Sequence, residues 1–126
     1  YAKEISGTDY AASVAMIHQH GRVIDQLLEK FDYLLTPTMA CLPLAHGRID
    51  MMAADPSTYS SLLFQTLGFT ALFNDTGHPA ISLPMGMSKN GLPVGCQLVA
   101  GTGEEGKLLQ IAGQIEAAGL FTALDF

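Results

Sequence analysis

From Pro56 to Asn74 the chain runs without a charged side chain. Such a stretch either crosses a membrane or lies against protein. Ser57, Ser60, Ser61, Gln65, Thr66, Gly68 and Thr70 interrupt it, so it lacks the run of about 20 apolar residues that a span requires. It reads instead as a buried helix, roughly Ser57 to Phe73, and such a helix needs covers on every side. The chain has little polar surface to spare for that task. Charged residues make up 14% of its 126 positions, against about 25% in ordinary soluble domains. Hydrophobic residues make up 48%, and mean hydropathy is positive. A domain of this size has much surface for its volume and normally needs polar cover. Two explanations stay open: an unusually apolar but complete domain, or a chain whose surface is partly buried by polypeptide it does not contain. The first residue is Tyr1 rather than Met, which suits a processed or excised piece.

The charge balance excludes one class of partner. Net charge is −6 with only six Lys and Arg, a poor footing for nucleic acid, whose binding rests on basic contacts to phosphate. Cys41 and Cys96 lie far apart with no CxxC spacing. They read as reduced, buried thiols of a cytoplasmic protein, not as a disulfide framework or zinc site. No signal peptide is expected from the opening residues. No metal, cofactor or membrane is expected.

Tyr10, Val14, Ile17, Gly21, Ile24, Leu28 and Phe31 fall at alternating spacings of four and three. That predicts one face of a long amphipathic helix from about Thr8 to Lys30, capped by Ser6 or Thr8. Tyr33-Leu34-Leu35-Thr36 reads as a short buried strand stopped by Pro37. From Pro37 to Pro56 the punctuation of Pro43, Gly47 and Asp55-Pro56 predicts irregular chain. A loop of that length is uncommon in a compact domain and is often functional. Its Met39, Leu42, Met51 and Met52 are expected to pack on something. After the uncharged helix, Asn74-Asp75-Thr76-Gly77-His78-Pro79 is a dense turn signal. Ala80 to Pro84 and Val94 to Ala100 read as strands joined through Lys89-Asn90-Gly91, a hairpin signal. Leu108, Ala112, Ile115 and Ala118 share one face of a last helix, Glu104 to Ala118, with Gly119 as its terminating residue.

Gly101, Gly103 and Gly106 spell GxGxxG between a strand and a helix, with Asp125 downstream. In a dinucleotide fold those glycines admit a pyrophosphate to a helix N-terminus. Here Glu104 and Glu105 occupy the turn where phosphate would sit, the preceding strand belongs to a hairpin, and no second strand follows. The motif reads as an acidic helix start after a glycine turn.

Hydrolysis by a nucleophile needs a base and an oxyanion hole beside it. No GxSxG is present, and Ser60 and Ser61 sit in the uncharged helix without a base nearby in sequence. Cys41 can be paired on paper with His18, His20, His46 or His78, but sequence does not select among them. His18 and His20, two apart on a helix, point to different faces and do not make a metal site. His78, before Pro79 in a turn, reads as structural. The residues alone do not supply an active site.

Three ordered segments carry a resemblance. They are Phe31-Asp32-Tyr33-Leu34-Leu35-Thr36-Pro37-Thr38, then Phe73-Asn74-Asp75-Thr76-Gly77-His78-Pro79-Ala80-Ile81-Ser82-Leu83-Pro84-Met85-Gly86, then Gly91-Leu92-Pro93-Val94-Gly95-Cys96-Gln97-Leu98-Val99. Followed by Glu105 and a Leu-Leu-bearing helix, they resemble the C-terminal end of the amidase signature family. The likeness runs from the first helix to Ala118. It implies an α/β fold, a large mixed β-sheet flanked by helices, with residues 1–126 forming the C-terminal part of one domain whose N-terminal catalytic part is absent. It also implies hydrolysis of an amide C–N bond by a serine nucleophile, a bridging serine in a cis peptide and a lysine base. None of these three lies in this chain.

The same resemblance assigns roles to residues that are present. Asn74, Thr76, Gly77 and Pro79 would shape the turn entering a strand, with positive φ at Gly77. Gly91, Gly95 and Gln97 would build the hairpin, Gln97 as a hydrogen-bonded buried amide. Thr38, Met39, Leu67, Thr70 and Phe73 are the candidates for contact with a small amide substrate, with plain packing as the competing reading for each. Family members that take glutamine as ammonia donor resemble one another in an Asp at the position of Leu67. An apolar residue there accepts no hydrogen bond from an α-ammonium, which points to an apolar or aromatic amide. The expected partners are the missing N-terminal portion and the substrate, with a homo-oligomer left open. The competing reading is a free-standing, non-catalytic ligand-binding or scaffold subunit.

Overall fold

The computed structural model describes residues 2–52 and 54–121. After a short 3-10 turn, helix α1 spans Gly7–Leu28. Ser6, rather than Thr8, starts it. The Ser6 hydroxyl accepts from Asp9 N at 3.1 Å, and the Asp9 carboxylate accepts from Ser6 N at 3.0 Å. That reciprocal pair satisfies two donors the helix cannot satisfy itself. Only Ile24 of the predicted apolar face is buried. Val14, Ile17, Gly21 and Leu28 are half-buried, while Tyr10 is 69% and Phe31 60% exposed. The face is real, but the described chain covers only its later turns.

Strand β1 covers Leu34–Pro37, β2 Ala80–Met87 and β3 Pro93–Val99. The sheet order is β1-β3-β2 with both pairings antiparallel. The large mixed sheet expected above is therefore not what the described residues form. They hold three strands, two joined by a hairpin and the third returning along the far edge of β3, so no parallel pair arises. Pro37 closes β1 as expected, whereas Pro84, where β2 was expected to end, lies inside it. Among the described residues each sits on an edge strand, where a missing N–H costs no ladder bond. Beside Pro84 the register slips by a bulge before Gly86, which the proline favours. In the hairpin, Ser88 N donates to Leu92 O at 2.8 Å, and Gly91 supplies the positive φ of 74°.

Helix α2 spans Pro56–Thr66 and α3 spans Ala71–Thr76. The single uncharged helix expected from the sequence is thus two. The break has a distant cause: Ala40 N, from the loop after β1, donates to Thr66 O at 3.0 Å. Thr70 N, which would take that carbonyl in a continuous helix, turns to Leu67 O at 3.0 Å. Gly68 lets the loop approach, since a Cβ there would lie 3.3 Å from Ala40 Cβ. Nor is the segment buried throughout, for Phe64 is 68% exposed. Asn74, Asp75 and Thr76 belong to α3, so the turn begins at Gly77, whose φ is 77°.

Helix α4, Glu105–Ala117, covers one sheet face through Leu108, which packs with Leu83, Leu98 and Ala100. On the other face Val99 packs with Ile24 of α1 and Phe73 of α3. Gly119, at φ 68°, ends α4, and Leu120 N closes back on Ile115 O at 3.2 Å, a helix-terminating pattern. The segment expected to be irregular is so in the structure over residues 38–52 and 54–55. Met51 and Met52 do not pack as expected; they are 78% and 89% exposed. Cys41 is exposed rather than buried because it rides on that loop, and Cys96 is half-buried. No described helix is long and apolar enough to cross a membrane.

Candidate functional site

The end of α2, the turn 67–70, α3 and the start of β2 surround an open cleft of about 680 Å³. Its floor is Gln97, carried by the central strand β3. Leu67, Thr70 and Phe73, three of the five substrate candidates, line it together with Asn74, Gly77 and Gln97. The apolar wall is extended by Phe64, which sequence reasoning did not single out. Its position three residues before Leu67, about one helical turn away, was the available signal. Thr38 and Met39 lie elsewhere. The Thr38 hydroxyl is 2.7 Å from that of Ser82, and Met39 lines a separate cavity of about 370 Å³ with Leu42 and Thr66. Thr76, Pro79 and Gly91 do not line the cleft.

Polar groups on this sheet face are arranged across strands. Thr36 and Ser82 are the residues directly opposite Gln97 on β1 and β2. Gln97 is 5% exposed, and its Nε2 donates to Thr36 Oγ1 at 3.0 Å and to Phe69 O at 3.3 Å. Gly95 lies one strand period away on the same face. A Cβ there would meet Thr38 Oγ1 at 2.9 Å and Ser82 Oγ at 3.1 Å, so glycine makes room for that pair.

His78 is buried, with Nε2 3.1 Å from Asp25 Oδ1 and Nδ1 2.9 Å from Thr76 Oγ1. Hydroxyl, imidazole and carboxylate stand in the order of a catalytic row. The Thr76 hydroxyl, however, gives its single proton to Leu72 O at 2.9 Å within α3, so towards Nδ1 it can only accept. The row works as a clamp tying α1 to the α3–β2 turn. The groups with shifted acidity are remote from the cleft. Hydrogen bonds from Ser6 and from Ser57 hold the Asp9 and Asp55 carboxyls below the usual range, and Glu104 raises Lys107. Glu104 pairs with Lys107, and its carboxylate fills the space over Gly101, where a Cβ would meet Glu104 Oε2 at 3.1 Å. The phosphate position of the GxGxxG turn is thus held by an acid, and β3 before it belongs to the hairpin. Asp125 lies outside the described residues. Among the described residues no three His, Cys, Asp or Glu side chains cluster as metal ligands. The cleft can bind and orient, but among the described residues it presents no nucleophile with a base.

A family model described as Amidase matches residues 1–109. The chain belongs to the amidase family. It is 36% identical over 123 residues to 6-aminohexanoate-cyclic-dimer hydrolase of Paenarthrobacter ureafaciens, a match covering 93% of this chain and 25% of that protein. It superposes on a solved 6-aminohexanoate cyclic dimer hydrolase complexed with substrate at TM-score 0.81 and 37% identity, over 93% of this chain and 26% of the other. To 2-amino-5-chloromuconic acid deaminase of Comamonas testosteroni it is 31% identical over 117 residues, covering 93% of this chain and 24% of that protein. The chain therefore spans about a quarter of the length of the curated relatives it matches. The ordered segments 31–38, 73–86 and 91–99 all fall inside the matched range.

Proposed function

We propose that this chain is the C-terminal portion of a cytoplasmic amidase that hydrolyses the C–N bond of an apolar carboxylic acid amide. The observation that carries the reading is the superposition: nearly all of this amidase-family chain matches about a quarter of a 6-aminohexanoate cyclic dimer hydrolase. The described quarter has a binding cleft without nucleophile and base, which fits a division of labour between scaffold and reaction centre.

In this reading the serine nucleophile, bridging serine and lysine base stand on polypeptide outside the chain, where the three-stranded sheet also continues into a larger mixed one. A neutral lysine takes the nucleophile's proton through the bridging serine as the serine oxygen bonds to the amide carbonyl carbon. Backbone N–H groups stabilise the oxyanion. The C–N bond breaks, the amine leaves with the proton, and water then cleaves the acyl ester to free acid. Leu67, Thr70 and Phe73 wall the acyl portion. Leu67 and Phe64 favour a methylene or aromatic chain over the α-ammonium of glutamine.

The test is turnover of hexanamide, an anilide and glutamine by the natural protein containing this chain. Release of ammonia or aniline from the apolar amides, with little from glutamine, is the expected result. Glutamine as the preferred substrate would remove the argument from Leu67, and no turnover of any amide would favour a non-catalytic binding role.

A further inference from the structure

Among the described residues, Gln97 is the one deeply buried polar side chain that lines the cleft and has a polar atom without a partner in the protein. The orientation of its amide is dictated by chemistry. Thr36 gives its single hydroxyl proton to Pro37 O at 3.0 Å, so towards Gln97 it can only accept. Phe69 O is a carbonyl and can only accept. Both contacts therefore require Nε2, and a flipped amide would set Oε1 against two acceptors. That leaves Oε1 with no hydrogen bond inside the described protein. Among the described residues no sealed side-chain polar atom is left unpaired, so Oε1 is not shut in the core. Gln97 lines the cleft.

We propose that Gln97 is a specificity-determining residue of this cleft, its Oε1 accepting the N–H of a carboxamide ligand. The ligand's chemical class rests on the amidase reading; the acceptor itself follows from geometry. A rigidly held acceptor in a cleft walled by Phe64 and Leu67 selects an apolar chain ending in an N–H-bearing amide. It disfavours a ligand that is alike in shape and carbonyl but has no N–H.

The experiment compares N-methylhexanamide with N,N-dimethylhexanamide by titration calorimetry on the natural, full-length protein, its Gln97→Met variant and its Thr36→Val variant. The wild type is expected to prefer the N–H amide by about fivefold or more, the worth of one net hydrogen bond. Gln97→Met should erase that preference while both ligands still bind. Thr36→Val, which lets the amide turn around, should reduce it, and keeps the test available if Gln97→Met does not fold. Equal affinities in the wild type overturn the proposal, as would happen if a main-chain N–H from elsewhere already occupied Oε1. A preference unchanged in either folded variant, or no binding of either amide, also overturns it. Turnover is scored separately. Selective binding without hydrolysis defeats the amidase reading alone, and hydrolysis without N–H selectivity defeats this inference alone.

Discussion

Replacing Gly95 with alanine should destabilise the sheet for a reason that has nothing to do with glycine's special backbone. Gly95 is not among the positive-φ glycines, so an L residue fits its conformation. The obstacle is space. The new methyl would stand 2.9 Å from Thr38 Oγ1, 3.1 Å from Ser82 Oγ and 3.3 Å from Thr38 Cβ. Thr38 cannot easily yield, because its N–H is bound to Gly95 O at 3.0 Å and a β-branched side chain is stiff at χ1. Relief therefore breaks the 2.7 Å Thr38–Ser82 hydrogen bond, worth about 1 kcal/mol, and, because the Thr38 Cβ contact remains, strains the packing by about 1–3 kcal/mol. Alanine returns about 0.5–1 kcal/mol by restricting the unfolded chain. The net expectation is a loss of about 1–3 kcal/mol. Urea unfolding of Gly95→Ala should show a lower midpoint at unchanged slope. In a Thr38→Ala background, which removes the closest atom, the same substitution should cost about 1 kcal/mol less. A neutral Gly95→Ala, or a cost indifferent to Thr38, would refute the reasoning.

Gly77→Ala tests the opposite case. Nothing lies within 4 Å of its added Cβ, but φ is 77°, so a loss of about 1 kcal/mol is expected from backbone alone, with Gly77→Asn costing less; equal costs would contradict this. Folding lowers the pKa values of Asp9 and Asp55. Their stabilising effect is therefore complete above the ordinary aspartate range and is lost as pH falls through the folded values. Carboxyl carbon NMR should show the Asp9 midpoint rising in Ser6→Ala and that of Asp55 unchanged. The uncovered Tyr10, Phe31, Leu35 and Phe64 predict that the isolated chain self-associates. Sedimentation as a monodisperse monomer at micromolar concentration would count against it.

Where local pattern governs, the sequence was readable. The three-and-four spacing of α1, the Leu108 face of α4, the Gly91 turn and the Gly119 stop all depend on residues near one another in the chain. The misreadings share a different origin. The break between α2 and α3 depends on Ala40, far back along the chain, which captures the Thr66 carbonyl. Pro84 is harmless inside β2 only because that strand lies at a sheet edge, a fact of assembly rather than of composition. In the cleft, Leu67, Thr70 and Phe73 were named through the family resemblance and stand together. Thr38 and Met39, also named that way, are drawn off to Ser82 and to a separate cavity. The free acceptor of Gln97 was out of reach, since it follows from which way two partners spend their hydrogen-bonding capacity.

The most direct measurement sets amide hydrolysis by the purified 126-residue chain beside hydrolysis by the natural protein that contains it. Ammonia release from hexanamide by the longer protein, with none from the shorter, is what a scaffold-and-cleft segment of an amidase predicts. Sustained turnover by the 126 residues alone would mean that a nucleophile and its base had been overlooked among them.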